Sequence, residues 1–304
     1  MFSKNNNNIE TEGLSLSFKL IGIFLIIGLI PLISVSFLSL NNAHDGFSEE
    51  AFNKLKSVKE IKSNQINSFF NERLADVSVL SESMNVKNTV IELNSVYKEE
   101  GVNSPEYNQV INKYDTYFET YVEEYGYYDM FIINMEGDII YSEAKEKDFN
   151  TNLVNGPYSD SNLAEAFQKG KNNTSLVDYA HYEPSDAPAI FVASPIKHGD
   201  GRVMGVLALQ VSDKAINGIM NEKAGLGESG ETYLVGSDKL MRSNSRFSNE
   251  STILDRKVDT VATQEALNGT EDHKIIEDYR GVNVLSSYHK LNIDGLDWAL
   301  VAEI

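Results

Sequence analysis

Tyr128–Ser142 reads YDMFIINMEGDIIYS, and Glu231–Ser245 reads ETYLVGSDKLMRSNS. Each stretch is an apolar, β-prone run, a short polar turn and a second run, the pattern of a hairpin. Further along, Pro188–Val211 (PAIFVASPIKHGDGRVMGVLALQV) and Asn283–Ile304 (NVLSSYHKLNIDGLDWALVAEI) also share a layout: strand, turn containing Asp-Gly, final strand. The two offsets are similar, about 90–100 residues, as expected when one small α/β module occurs twice. Strands are predicted at Tyr128–Asn134, Asp138–Ser142, Ile190–Ile196, Arg202–Val211, Thr232–Val235, Lys239–Ser243, Lys274–Asp278, Val282–Tyr288 and Trp298–Glu303. Helices fit between them at Ser161–Lys169, Asp213–Lys223 and Asp259–Leu267, with Asn268–Gly269 as a stop signal.

Upstream of this repeat the pattern is helical. Apolar residues recur at helical spacing from Phe47 through Leu55, Val58, Ile66, Phe69, Leu74 and Val77 to Met84, uninterrupted by Gly or Pro. That predicts one amphipathic helix of about 40 residues, far above the globular mean. Its narrow stripe suits pairing with a second copy or packing on its own domain. A second helix is predicted over about Val86–Glu100, a break at Gly101–Pro105, and a third over Glu106–Tyr125.

Before the amphipathic helix lies LIGIFLIIGLIPLISVSFLSL, Leu20–Leu40, with no charged residue. At about 1.5 Å rise per residue it is roughly 31 Å long, the thickness of a bilayer core. It is longer than the apolar core of a signal peptide, and no A-x-A cleavage pattern follows. Pro31 is tolerable in a membrane helix. Lys4 and Lys19 precede the segment, whereas Asp45, Glu49 and Glu50 follow it. The positive-inside bias therefore places residues 1–19 in the cytoplasm and the bulk of the chain outside.

Composition narrows the function. There is no cysteine, so neither disulfides nor thiol chemistry is available, and the net charge is −19. The acidity argues against nucleic acid and anionic membrane surfaces as partners. No H-E-x-x-H, P-loop, G-x-S-x-G or metal-spaced cluster is present, and the five histidines are scattered. Gly225–Gly230 matches G-x-G-x-x-G but follows a helix and opens a strand, the reverse of a dinucleotide site, and so reads as a turn. No enzyme activity, cofactor or metal is expected.

Four stretches carry a resemblance: Gly227–Ser243 (GESGETYLVGSDKLMRS), Gly126–Ile132 (GYYDMFI), Asn152–Tyr158 (NLVNGPY) and Gly205–Asn217 (GVLALQVSDKAIN). With the membrane helix and the long exported helix, the chain resembles the extracytoplasmic double-Cache sensor region of a bacterial methyl-accepting chemotaxis protein, from about Ile9 to Ile304. The resemblance implies an α+β fold: transmembrane helix (20–40), long stalk helix (41–85), and two tandem PAS-like antiparallel-sheet modules. The membrane-distal module (86–213) is expected to bind the ligand. A connecting helix (214–223) then leads to the membrane-proximal module (224–304). The implied setting is the bacterial inner membrane, as a homodimer, signalling for chemotaxis through a cytoplasmic region beyond Ile304. The family also includes sensor kinases and cyclases. A module recognising a ligand-loaded binding protein is the alternative from another class.

Twelve of the fifteen tyrosines lie between Tyr97 and Tyr182. Tyr107, Tyr114 and Tyr121 recur every seven residues, as core residues on one helix face do. Tyr128, Tyr141, Tyr158, Tyr179 and Tyr182 fall instead at strand ends and loops, and join flat apolar faces to hydroxyls that suit a small polar ligand. Asp129, Asp178, Asp186 and Asp213 lie near the same elements, Asp213 as a helix cap. A carboxylate among aromatic rings favours an ammonium group. Family members that bind ordinary amino acids typically carry an Arg and a Trp in this module. Here the module has only Arg202, and the single tryptophan is Trp298. The ligand site is therefore read as Tyr128, Asp129, Phe131, Tyr141, Tyr158, Tyr179, Tyr182, Asp186 and Phe191, for an amine or another small polar metabolite. Arg242, Ser243 and Arg246 read as salt-bridging residues within the second sheet.

Overall fold

The computed structural model describes residues 15–304, so most of the predicted cytoplasmic N-terminus lies outside the described residues. The chain divides into two compact units, Met1–Ala51 and Phe52–Ile304. In the first, Leu16–Leu40 is the one helical segment among the described residues long and apolar enough to cross a membrane, with mean hydropathy 2.7.

That segment belongs to a single helix, α1 (Leu16–Ser81), which includes Pro31. It ends three residues earlier than the apolar periodicity predicts, because Ser83 caps the next helix, α2 (Met84–Glu100), by accepting from the Val86 amide. The third predicted helix is two: α3 (Pro105–Ile111), capped by Ser104, and α4 (Asp115–Tyr125). Three-residue hydrogen bonds tighten the chain at Lys113 and Tyr114, which buries the Tyr114 ring and sends its hydroxyl to Glu92 at 2.7 Å. Tyr107 and Tyr114 are core residues, as expected of the seven-residue repeat, and Tyr121 packs against the same core.

Two antiparallel sheets follow. The first is ordered β2-β1-β5-β4-β3, from β1 (Tyr127–Asn134), β2 (Ile139–Ser142), β3 (Ser175–Tyr182), β4 (Ala187–Lys197) and β5 (Val203–Val211). Helix α5 (Asn162–Gly170), capped by Ser161, covers one face. After α6 (Asp213–Met220) comes the second sheet, ordered β6-β9-β8-β7. Its strands are β6 (Glu231–Gly236), β7 (Asp272–Glu277), β8 (Asn283–Lys290) and β9 (Trp298–Glu303), and α7 (Val261–Leu267) covers one face. The repeat is real: both modules run first strand, helix, then a three-strand meander whose last strand pairs with the first. Lys239–Ser243 is the partner of β2 in this scheme, but it makes single bridges, Val235↔Met241 and Leu240↔Lys257, rather than a strand. Strand β3 lies outside the strands expected from the sequence: polar residues interrupt SLVDYAHY, and a bulge between Val177 and Ala180 shifts its alternation.

The faces divide the core. Phe131, Ile133, Val177, Tyr182, Phe191 and Ala208 pack with Leu163 and Phe167 of α5. On the opposite face Met130, Ile132, Tyr141 and Leu209 pack with Phe70, Val77 and Leu80 of α1. The apolar stripe of α1 is thus spent on its own unit; it also contacts the second module through Leu55 and Val58 beside Ala302. Gly225 and Gly227 take positive φ in the segment between α6 and β6, so the G-x-G-x-x-G match is a turn.

Candidate functional site

The first module places five of the nine predicted residues in one layer. Across three neighbouring strands Asp129 pairs with Gln210, and Gln210 with Phe191, so the three lie side by side on the α5 face. Phe131 follows Asp129 on that face, and the C-terminal end of β3 adds Tyr182, with Tyr158 at 6.5 Å between ring centroids. Alanines at 189, 193 and 208 keep the surface between these rings low.

A long connection from β2 to α5, residues 143–161, covers this layer. Asn152 ties it down: its amide donates to Asp138 at 2.8 Å, and its carbonyl accepts from the Val154 and Asn155 amides. Gly156 is required there because a Cβ would meet the backbone carbonyl oxygen of Asn152, not its side chain, at 2.3 Å. The connection carries Glu146 and Asp148, two acids absent from the predicted set.

The acids are used differently. Asp129 is fully hydrogen-bonded: Oδ1 accepts from the amides of Met130, Glu143 and Ala144 at 2.6, 2.9 and 3.0 Å, and Oδ2 from Ser142 Oγ at 2.9 Å. It anchors the start of the covering connection. Burial pushes its carboxyl up to about 7, those hydrogen bonds opposing and the Asp148 charge adding. Asp148 is buried and takes the Tyr182 hydroxyl on Oδ2, while its Oδ1 has no partner. Burial raises its carboxyl too, the Tyr182 hydrogen bond opposing and Glu146 adding. Glu146 takes the Tyr128 hydroxyl at 2.7 Å on Oε1, leaving Oε2 buried and unpartnered. Gln210, in mid-sheet, likewise has an unpartnered Oε1, its amide reaching Ser185 Oγ at 3.4 Å. No lysine, arginine or histidine forms an ion pair with Asp129, Glu146 or Asp148 among the described residues.

The other predicted residues stand elsewhere. Tyr128 is the extra residue of a β-bulge between Tyr127 and Asp129, so its ring leaves the layer and its hydroxyl meets Glu146 at the rim. Tyr141 pairs with Ile132 and therefore faces the opposite side, where it bonds Asp115 and Glu143. Tyr179 falls on that side too, through the β3 bulge, and stacks on Trp298 at 6.1 Å and 7°. Asp186 is a correction: it sits at φ 48° in the β3–β4 turn with a 93% exposed side chain, a turn position that aspartate tolerates rather than a pocket position. A cavity of about 370 Å³ opens next to the layer, between Leu153, Asp160 and α5, but none of the nine predicted residues lines it.

Asp178 turns out to join the modules. It accepts from Arg242 Nε at 3.1 Å and Nη2 at 3.2 Å, and from Trp298 Nε1 at 2.9 Å. Arg242 is nearly fully buried and also holds Asp238 of its own module at 2.9 Å. Salt-bridging within the second sheet is thus only half of its role. Arg246 instead donates to the carbonyls of Gly227 and Glu228. Ser212, not Asp213, is the cap of α6.

The comparisons agree with this architecture. No curated protein sequence matches the chain. Among solved structures the chain is similar to the sensor domain of the Vibrio cholerae histidine kinase DctB, at 13% identity and TM-score 0.56, covering 84% of this chain and 97% of that one. It is also similar to the ligand-binding domain of the Campylobacter jejuni chemoreceptor Tlp3 in complex with 4-methylisoleucine, at 10% identity, TM-score 0.57, and coverage of 84% and 91%. A third is the ligand-binding domain of the Pseudomonas aeruginosa chemoreceptor PctB in complex with L-Arg, at 15%, 0.52, and coverage of 84% and 95%. At these identities the likeness is one of fold. A family model described as Cache domain matches residues 44–304. The chain belongs to the Cache-domain family.

Proposed function

We propose that this chain is the extracytoplasmic sensing region of a transmembrane chemoreceptor in a bacterial inner membrane, and that its first, membrane-distal module binds a small molecule bearing an ammonium group. The observation that carries the ligand class is a group of three buried acceptors that lack donors among the described residues: Asp148 Oδ1, Glu146 Oε2 and Gln210 Oε1. An ammonium offers three donors and a positive charge, and so answers both the unmet hydrogen bonds and the unpaired acids. The Tyr158 and Tyr182 rings add cation–π attraction, about 0.5–2 kcal/mol. L-Arg and 4-methylisoleucine, the ligands named for two similar domains, are consistent with this class.

Signalling requires only that the ligand favour one of two arrangements. Tyr182 ends the strand that also carries Asp178 and Tyr179, the residues on which Arg242 and Trp298 of the second module rest. Helix α1 touches both modules through Phe70 and Val58. A pull on Tyr182 thus reaches both. Pairing of two copies is part of this reading: Ile61 and Val79 lie exposed on α1 and, about five turns apart, share a face. Sedimentation of the full chain in detergent tests it. The likeness to the DctB sensor favours a histidine kinase as the second reading of the output.

The test of the ligand class is a melting screen of the full chain in detergent against amines, amino acids, sugars and organic acids, followed by calorimetry. A saturable stabilisation by an amine, lost in Asp148→Asn, is the expected result. Stabilisation by organic acids alone, or silence from a folded chain, would overturn it. Loss of migration towards that amine after disruption of the gene would separate a chemoreceptor from a kinase.

A further inference from the structure

The second module lays out its charges differently from the first. At the rung where the first pairs Asp129 with Gln210, the second pairs Glu231 with Glu303. Glu231 accepts from Ser245 at 2.8 Å and from Tyr279 at 2.7 Å. Those two side chains are also walls of a cavity of about 140 Å³, completed by Phe247, Ser248, Thr252 and two arginines, Arg256 and Arg280. No carboxylate lines it.

Three of the chain's six arginines gather here, in a protein of net charge −19. Arg280 lies over the Phe247 ring at 4.5 Å and Arg246 at 5.1 Å, so one ring holds two guanidinium groups together. Arg256 makes neither an ion pair nor a side-chain hydrogen bond among the described residues. Its backbone, by contrast, is fixed: its amide donates to the Thr252 carbonyl at 3.0 Å, and its carbonyl accepts from the Met241 amide at 3.0 Å. An ordered turn thus brings five N–H donors without acceptors to the cavity wall. The hydroxyls around them are already committed. Ser245 and Tyr279 donate to Glu231, Ser248 to the Glu250 carbonyl and Thr252 to the Ser243 carbonyl.

Two acids come near. Asp278 takes Arg280 at 2.6 Å, and Glu231 stays 3.9 Å from it. Three guanidinium groups against two carboxylates leave one positive charge over, and burial, which raises Glu231, enlarges that surplus. A cation entering this cavity would meet guanidinium groups; an anion would meet the free donors of Arg256.

We propose that this cavity is a second ligand site, for a short-chain monocarboxylate of acetate or propionate size. The ligand's carboxylate takes Arg256 in the two-point geometry that a guanidinium favours, and its alkyl end rests on the Phe247 ring. At about 30 Å³ per water-sized group the cavity admits roughly five non-hydrogen atoms, the size of propionate. The site shares no residue with the layer of the first module and stands independently of what that layer binds.

The test is calorimetry on the full chain in detergent, in chloride-free buffer at pH 7, titrated with propionate, benzoate and inorganic phosphate. The expected result is saturable binding of propionate and none of benzoate, which is too large. Arg256→Gln should weaken propionate at least tenfold, and Arg256→Lys, which keeps the charge without the two-point geometry, should fall between. Arg202→Gln removes the same charge from an exposed turn of the first module and should leave the affinity within about twofold. Arg256 is exposed, so its variants should melt with the wild type. Ser248→Leu fills the cavity without changing charge and should abolish binding, which keeps the test open if the arginine variants fail to fold. No propionate binding by a folded chain, equal losses in Arg256→Gln and Arg202→Gln, or tighter binding of phosphate than of propionate would overturn the proposal.

Discussion

At matching rungs the first module carries Asp129 and the second Glu231, and the two acids are held by different partners. Asp129 is enclosed by three backbone amides and a serine hydroxyl from the covering connection, which makes it a fastening for that connection. Glu231 is hydrogen-bonded by two hydroxyls, with Arg280 at 3.9 Å. In the first module the unmet carboxylate oxygens among the described residues both belong to the covering connection, at Glu146 and Asp148. In the second, the one unmet carboxylate oxygen belongs to the ladder, at Glu303. The same scaffold thus carries its unmet acid oxygens on the covering connection in one copy and on the sheet in the other.

The largest effect expected from this comparison separates two acids of the first module. Asp148→Asn removes the charge at a buried, unpaired position and should weaken amine binding about 100-fold, some 2.8 kcal/mol at about 1.4 kcal/mol per tenfold. Asp186→Ala should leave binding within about twofold, because that side chain is exposed in a turn. Calorimetry on both variants checks this; equal losses would return the site to the turn.

The contrast also shows what a sequence can disclose. Apolar, β-prone runs on either side of a short polar turn made the repeat visible, in YDMFIIN as in ETYLVG. Asp129, Phe131, Tyr158, Tyr182 and Phe191 were legible for the same reason, as chemistry-bearing residues at strand ends or in the covering connection. Tyr128, Tyr141 and Tyr179 were misplaced in part because bulges at Tyr127/Asp129 and Val177/Ala180 reset the alternation, and a bulge leaves no mark in composition. Asp148 and Glu146 sit in a Lys-rich run, EAKEKD, that reads as a solvated loop. Gln210 interrupts the apolar strand VMGVLALQV, and that polar residue was a signal available in the sequence. Asp178 with Arg242 and Trp298 was beyond reach, since nothing local connects residues 64 and 120 positions apart.

That junction supplies the next effect in size. Arg242→Ala leaves Asp178 and Asp238 facing each other without their shared cation. Breaking a buried pair costs about 3–5 kcal/mol, and the partial exposure of both aspartates brings the expected loss to about 2–3 kcal/mol. Urea unfolding of the variant measures it; a loss below about 0.5 kcal/mol would mean that the modules are joined by apolar packing alone.

The pH profile sharpens the comparison further. Folding raises Asp129 to about 7 and Glu303 to about 8, against about 4 for unfolded carboxyls. At these two groups the folded chain therefore binds more protons than the unfolded chain between those values, and their contribution to stability falls as pH rises through that window. The contribution is complete below about pH 4 and lost above about pH 8. Asp129→Asn should remove the portion ending near pH 7 and Glu303→Gln the portion ending near pH 8, as read from melting temperatures between pH 4 and 9. Variant profiles with the same shape as the wild-type profile would contradict the burial of both acids.

The smallest expected effect tests whether the two modules communicate at all. Trp298 is the only tryptophan, so the emission of the full chain reports on one indole. That indole is buried, stacks on Tyr179, meets Phe70 of α1 at 5.5 Å and donates to Asp178. Tyr179 stands three residues before Tyr182 on the same strand, and Tyr182 is the hydroxyl that holds Asp148. An amine that draws on Asp148 must alter the Tyr182 hydrogen bond, and a stiff paired strand passes part of that change to Tyr179. The emission should then change slightly and saturably, with the midpoint found by calorimetry. Arg242→Ala should reduce the amplitude while leaving the midpoint in place, because it loosens the junction without touching the ligand. An unchanged emission at full occupancy would move the relay away from β3 and onto the contacts of α1, where Phe70, Val77 and Leu80 meet the opposite face of the same sheet.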